Sequence, residues 1–236
     1  AFCVMPYSAR ADVVLPVSNE FDAPLDPANA EAQPAVARSG NGPFVVVWQE
    51  GGDILAHRFA ADGSRLPGGD FTVDAVDPGL PQVEPAVAMD DDGDFIISWE
   101  GDYSASAGLY YYTTKIMFQR FDANANPLDP QAVALDQGGL ATTNQREPDV
   151  AMDANGDFVV AWEGYVNDTY TNDVGYHSYN ENGNLVAGPS PAPTRTGGNS
   201  NSASVSLASD GRFVIAWQSV DPDQFTNPTF PDGSES

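Results

Sequence analysis

Two glutamates, Glu100 and Glu163, each follow a tryptophan at the end of an apolar run, 95–99 and 158–162; two further copies of the run end in Gln49 and Gln218. Carboxyls at matching places are the groups that acid and base catalysis on a glycosidic bond requires. Glutamine at the same position in the other copies reads equally well as the polar end of a buried strand. Six tyrosines, Tyr103, Tyr110, Tyr111, Tyr112, Tyr165 and Tyr170, crowd two segments that follow these glutamates. A tyrosine ring offers a flat apolar face and a hydroxyl, which suits stacking on a sugar or contact with a protein.

The third group is a set of turn aspartates, of which Asp90, Asp92, Asp153 and Asp157 are the candidate metal ligands. Calcium is the ion their oxygens would take, but it needs about 6 to 8 ligands gathered from several loops. Neighbouring carboxylates on one strand point to opposite sides, so a single hairpin does not supply a cage, and solvated turn acids are the simpler reading. No cofactor is expected. The only histidines, His57 and His177, occupy equivalent places in non-adjacent units with Gln119 between them, and no Ser-His-Asp constellation is legible. Cys3 stands alone, which excludes an intrachain disulfide and a paired-cysteine metal motif.

The elements that carry these residues are repeats. Segments 33–50, 84–101, 147–164 and 202–219 align without gaps on Gly42, Gly93, Gly156 and Gly211. Each reads as a hairpin: a strand of small residues such as Ala35-Val36-Ala37, an Asn-Gly or Asp-Gly turn, then a strand of pattern Phe-x-Val-x-Trp. In the second strand a bulky face (Phe44, Val46, Trp48 in the first copy) backs on a smaller one (Val45, Val47), so the strand must lie between two layers. The small first strand suits a tapering centre, and Pro34, Pro85 and Pro148 are expected at its start, where a missing N–H does little harm. Downstream of the first three hairpins come strand pairs at 54–59 with 71–73, 116–121 with 132–135, and 174–179 with 185–187. Four strands in about 50 to 60 residues make one blade of a β-propeller.

The expected fold is therefore all-β, a propeller of four-stranded blades over residues 1–219 with a polar tail at 220–236. The fourth hairpin has no outer pair behind it, and the N-terminal runs 2–7 and 13–17 are expected to complete the last of four blades; the other arrangement is a slice of a longer array. The hairpin pattern, with its Pro-x-Val-Ala start and Gly-x-Phe-Val-Val-x-Trp end, resembles the tandem β-propeller repeats of bacterial secreted and cell-surface proteins. Residues 89–94 and 152–157 are also similar to the calcium-binding repeats of integrin-type propellers, except that glycine falls one place early.

With Asp+Glu 34 against Lys+Arg 9 and a net charge of −25, the surface repels phosphate backbones and anionic lipid heads. No apolar run approaches the roughly 18 residues of a membrane span. A single lysine, Lys115, among many Thr, Asn, Asp and Gly residues points to an extracellular or cell-surface setting. Long loops are expected together on one face of the disc, the usual place for binding. The residues read as an extracellular, non-enzymatic binding or scaffold module that recognises a protein or glycan through that face. The alternatives are a structural subunit of a surface assembly and a carbohydrate-active hydrolase. The last predicts a pocket on the loop face, with Glu100 or Glu163 in it and a raised carboxyl pKa.

Overall fold

The computed structural model describes residues 23, 31–40, 42–74, 81–102, 114–135, 144–166, 171–191 and 199–220. All their regular structure is β. Blade 1 consists of β1 (Glu31–Arg38), β2 (Phe44–Glu50), β3 (Asp53–Phe59) and β4 (Phe71–Thr72). Blade 2 follows with β5 (Gln82–Met89), β6 (Phe95–Asp102), β7 (Thr114–Phe121) and β8 (Val133–Ala134), and blade 3 with β9 (Gln145–Met152), β10 (Phe158–Val166), β11 (Thr171–Tyr179) and β12 (Leu185–Pro191). Each is an antiparallel sheet in sequence order, and β13 (Asn199–Leu207) pairs with β14 (Phe213–Val220) as the hairpin of a fourth. Among the described residues no helix is long and apolar enough to cross a membrane. The runs at 2–7 and 13–17 that were to complete the last blade lie outside the described residues, as do the tail residues 221–236.

The core lies between the blades. The small face of β2 and β3 (Val45, Val47, Ile54, Ala56) packs on the bulky face of blade 2 (Phe95, Ile97, Trp99, Phe121). Blade 2 offers Ile96, Ile116 and Phe118 to Phe158, Val160 and Trp162 of blade 3. Blade 3 offers Val159 and Ala161 to Val205, Phe213 and Ile215. The same lock is used three times, and aromatic rings close each seam: Phe71 meets Phe121 at 5.6 Å, Phe118 meets Phe158 edge-on at 5.5 Å, and Tyr176 meets Phe213 at 5.2 Å.

The hairpin turns hold one face of the disc. Asp90 Oδ1 accepts the N–H groups of Gly93 (2.8 Å) and Asp94 (2.9 Å), and Asp153 Oδ1 those of Asn155 (2.8 Å) and Asp157 (3.1 Å). Gly93 has φ 92° and Gly156 φ 90°, whereas Asp92 and Asn155 are not in the left-handed region. These are longer turns closed by one left-handed glycine, and they replace the two-residue type that Asp-Gly and Asn-Gly announced.

Farther out, arginines bracket successive blades. Arg58 donates to the carbonyl of Ala123, in the outer turn of blade 2. Arg120 grips Asp129 (Nη2 to Oδ1 2.6 Å, Nε to Oδ2 3.1 Å) and donates from Nη1 to the carbonyl of Glu181 in the outer turn of blade 3 at 2.7 Å. Gly183, at φ 75°, makes the room: a Cβ there would meet the Arg120 guanidinium carbon at 2.6 Å. Both members of the Arg120–Asp129 pair are about nine-tenths buried. Removing one partner of such a pair leaves a buried charge alone, so Arg120→Ala should lower the unfolding free energy by about 3 kcal/mol in urea titration. A loss under about 0.5 kcal/mol would mean the bracket carries no load.

Candidate functional site in the axial cavity

The inner strands β1, β5, β9 and β13 do not run straight. In β5, Val83 is opposite Glu100 and Ala86 opposite Ser98, so Glu84 and Pro85 together face Trp99. The same two-against-one bulge places Gln33-Pro34 against Trp48, Glu147-Pro148 against Trp162 and Ser202-Ala203 against Trp217. The prolines are therefore bulge residues inside the strands, and the expectation that they mark strand starts is corrected. A bulge frees its residues from the ladder, which is what tolerates the missing N–H.

The first residue of each bulge is left-handed: Gln33 at φ 48°, Glu84 at 55°, Glu147 at 49° and Ser202 at 54°. A side chain in that region costs roughly 1–2 kcal/mol. Hydrogen bonds between blades offset part of it. The N–H of Glu84 donates to Gln33 Oε1 (2.8 Å), the N–H of Glu147 donates to Glu84 Oε2 (3.1 Å), and Ser202 Oγ donates to Glu147 Oε2 (3.5 Å). The bulge residues thus form a chain around the axis, each reaching to the next blade.

Inside that chain lies a cavity of about 580 Å³. Each blade contributes its polar bulge residue to the wall, Gln33, Glu84, Glu147 and Ser202, and blade 3 adds Asp149.

Glu100 and Glu163 sit at the same level within β6 and β10, opposite Val83 and Arg146, and are only 8% and 6% exposed. Burial first, and then the charge of Glu84, raise the Glu100 carboxyl from an ordinary 4.5 to about 7. A hydrogen bond to the Glu84 side chain also favours its protonated form, while the charge of Arg146 and the Thr114 hydroxyl act the other way. Glu163 is raised too, by burial and then by Glu147, against the Ser202 N–H and Arg146. Its Oε2 has no hydrogen-bond partner among the described residues. Blades 2 and 3 therefore each carry a carboxyl pair, Glu84 with Glu100 and Glu147 with Glu163. Blades 1 and 4 have Gln33 with Gln49 and Ser202 with Gln218 in the same places. Two carboxyls that share a proton are the usual way to keep an acid protonated near neutrality.

The other candidates from the sequence fall elsewhere. Tyr103, Tyr110, Tyr111, Tyr112 and Tyr170 lie outside the described residues, and Tyr165 is placed on β10 opposite Asn172. Asp90, Asp92, Asp153 and Asp157 belong to the turn face, where Asp90 and Asp153 are taken up by their own turns and Asp157 Oδ1 accepts from Glu181 N at 2.9 Å. Among the described residues no group of three or more His, Cys, Asp or Glu side chains is placed to hold a metal ion. His57 and His177 are buried in the third strands, next to Asp70 (2.7 Å) and Tyr179 Oη (2.9 Å) respectively. Glu84, Glu147 and Asp149 were missed. The signal for Glu84 and Glu147 was a polar residue before a repeat proline, and for Asp149 an acid where the other repeats have Ala35, Ala86 and Ser204.

No protein-family model matches the sequence, and no curated protein is similar to it. Solved structures do share the shape. A protein of unknown function from Dyadobacter fermentans superimposes with a TM-score of 0.61 at 12% identity, over 84% of this chain and 64% of that one. An endo-arabinase from Bacteroides thetaiotaomicron gives 0.48 at 13% over 90% and 74%, and a thermostable family-43 glycoside hydrolase 0.47 at 16% over 80% and 65%. These likenesses are of fold, and the chain spans less than two thirds of the length of the first and third. The fold is a β-propeller of four-stranded blades. The expectation of a non-enzymatic binding or scaffold module is corrected on the site itself: Glu100 is buried beside the cavity-lining Glu84 and its carboxyl is raised to about 7, as the hydrolase alternative required, while Glu100 and Glu163 stand behind the cavity wall and do not line it.

A carboxyl raised on folding binds more protons folded than unfolded between its two pKa values, so its contribution to stability falls as pH rises from about 4.5 through about 7. In thermal melts from pH 4 to 8, wild type should lose stability relative to Glu100→Gln across that window. Parallel curves for the two proteins would show that Glu100 titrates normally.

Proposed function

We propose that this chain carries a carbohydrate-active hydrolase site, which cleaves a glycosidic bond at the loop end of the axial cavity. The observation that carries the reading is the Glu84–Glu100 pair: a carboxyl raised to about 7, hydrogen-bonded to a second carboxyl that lines a cavity. Glycosidic oxygens are weak bases and leave only when protonated as the bond breaks, and an acid with a pKa near the working pH does this best. Glu84 faces the substrate, and Glu100 behind it keeps a proton on the pair. The adjacent wall, from blade 3, contributes the second carboxyl that the chemistry requires. No cofactor enters these steps.

Charge narrows the substrate. A cavity walled by carboxyls on a chain of net charge −25 repels uronates and sulfated sugars, so a neutral glycan is the class it accepts. A polysaccharide substrate is met outside the cell, which agrees with the extracellular setting read from composition. Arabinan and xylan, both neutral polysaccharides, belong in the first substrate panel.

The test is the release of reducing ends from a panel of neutral polysaccharides. Activity should fall above about pH 7, following the acid form of Glu100. Glu100→Gln should lose about 10²–10⁴ in kcat, the usual contribution of an acid or base. That variant copies Gln49 and Gln218, which the fold already accepts in two blades. A panel left uncleaved, or a Glu100→Gln protein as fast as wild type, would overturn the proposal.

A further inference from the structure

Two residues after each bulge begins, the inner strands carry Ala35 in blade 1, Ala86 in blade 2 and Ser204 in blade 4. Small side chains are what a tapering centre needs. Blade 3 places Asp149 there instead, and Asp149 lines the same cavity as Glu84. Its carboxylate is fixed by main chain on both sides of a seam: Oδ2 accepts the N–H of Val205 in blade 4 at 2.7 Å, and Oδ1 accepts the N–H of Val150 at 3.0 Å. Packing does not call for it, since alanine serves in two blades, and a third acidic group in a cavity already lined by Glu84 and Glu147 adds like-charge repulsion. Nor is it on a loop; it sits on a paired strand, where a reacting group is held most firmly.

We infer that Asp149 is the second catalytic carboxylate of the axial site. This rests on the hydrolase reading. The steps balance as follows: the Glu84–Glu100 pair gives its proton to the glycosidic oxygen as the bond to the anomeric carbon breaks. A water oxygen bonds to that carbon, and Asp149 takes the proton the water gives up. Solvent then returns one proton to the pair and removes one from Asp149. Glu147 is a poorer candidate, because it is exposed in the bulge, whereas Asp149 is half-buried on the paired part of the strand.

The experiment uses the full chain and whichever polysaccharide of the panel wild type cleaves. Asp149→Asn, which keeps an acceptor for one N–H, should retain the wild-type melting temperature within a few degrees and lose about 10²–10⁴ in kcat. Asp149→Ala, which copies blades 1 and 2, should lose as much and regain at least about tenfold when sodium formate supplies a free carboxylate. If Asp149→Asn turns over like wild type while Glu100→Gln is inactive, the inference fails and the hydrolase reading stands. Losses that track a fall in melting temperature, with no rescue by formate, assign Asp149 to the seam alone and also overturn it. A wild type that cleaves nothing in the panel overturns both.

Discussion

Everything in this molecule follows from a strand that is apolar on both faces. β2, β6 and β10 carry a Phe-x-Val/Ile-x-Trp face backed by a Val, Ile or Ala face, and neither can meet water. A sheet that needs cover on both sides can be satisfied by another sheet like itself, and the bulky-on-small match repeats at every seam between described blades. Because the inner strands are small and the middle ones large, the stack fans out from an axis. The cavity is the space left where the small strands converge, so the site is a consequence of the packing rule.

The chain of bulges turns that space into something chemical. Straight inner strands would alternate their side chains and leave only alanines and valines on the axis. Inserting one residue at a left-handed φ bends each strand where it passes the tryptophan of its partner, and re-aims one long polar side chain toward the next blade. The strain and the hydrogen bonds belong to the same residues: a bond worth about 1 kcal/mol offsets much of a left-handed cost of similar size. Strain of this kind persists only where the surroundings over-determine it, and here a Trp strand on one side and a neighbouring bulge on the other do so.

Much of the architecture was legible in the residues. The hairpins, their outer partners and the bulky and small faces all sit where the Phe-x-Val/Ile-x-Trp pattern put them, because a two-sided apolar strand has few ways to be buried. Glu100 and Glu163 were also legible as a matched pair. Their environment was not, because it depends on Glu84 and Glu147, whose direction is set by a backbone dihedral that no periodicity reveals. Proline was read as a sign of a strand end, and the bulge makes it a sign of a strand interior. The arginine brackets were equally hidden. Arg58 and Arg120 occupy the same place in blades 1 and 2, yet each makes sense only through an outer turn about sixty residues further along the chain. Blade 3 has Ser178 there.

Repetition gives a direct reading of what the site costs. Four copies of one unit solve the same folding problem, so positions that differ among them are not dictated by the fold. At the residue after the tryptophan the solutions are Gln49, Glu100, Glu163 and Gln218; at the bulge they are Gln33, Glu84, Glu147 and Ser202. The neutral versions show that a hydrogen-bonding side chain is sufficient for the architecture. The acidic versions add a desolvation cost that the raised Glu100 carboxyl displays directly, and they add it only in two adjacent blades that face one cavity. Burying Glu100 and Glu163, each beside a second carboxyl, opposes stability above neutral pH, and a fold with a neutral substitute already present in its other blades has no structural need to bear it. The natural account of such a pattern is that the protons held there do work on a bound molecule.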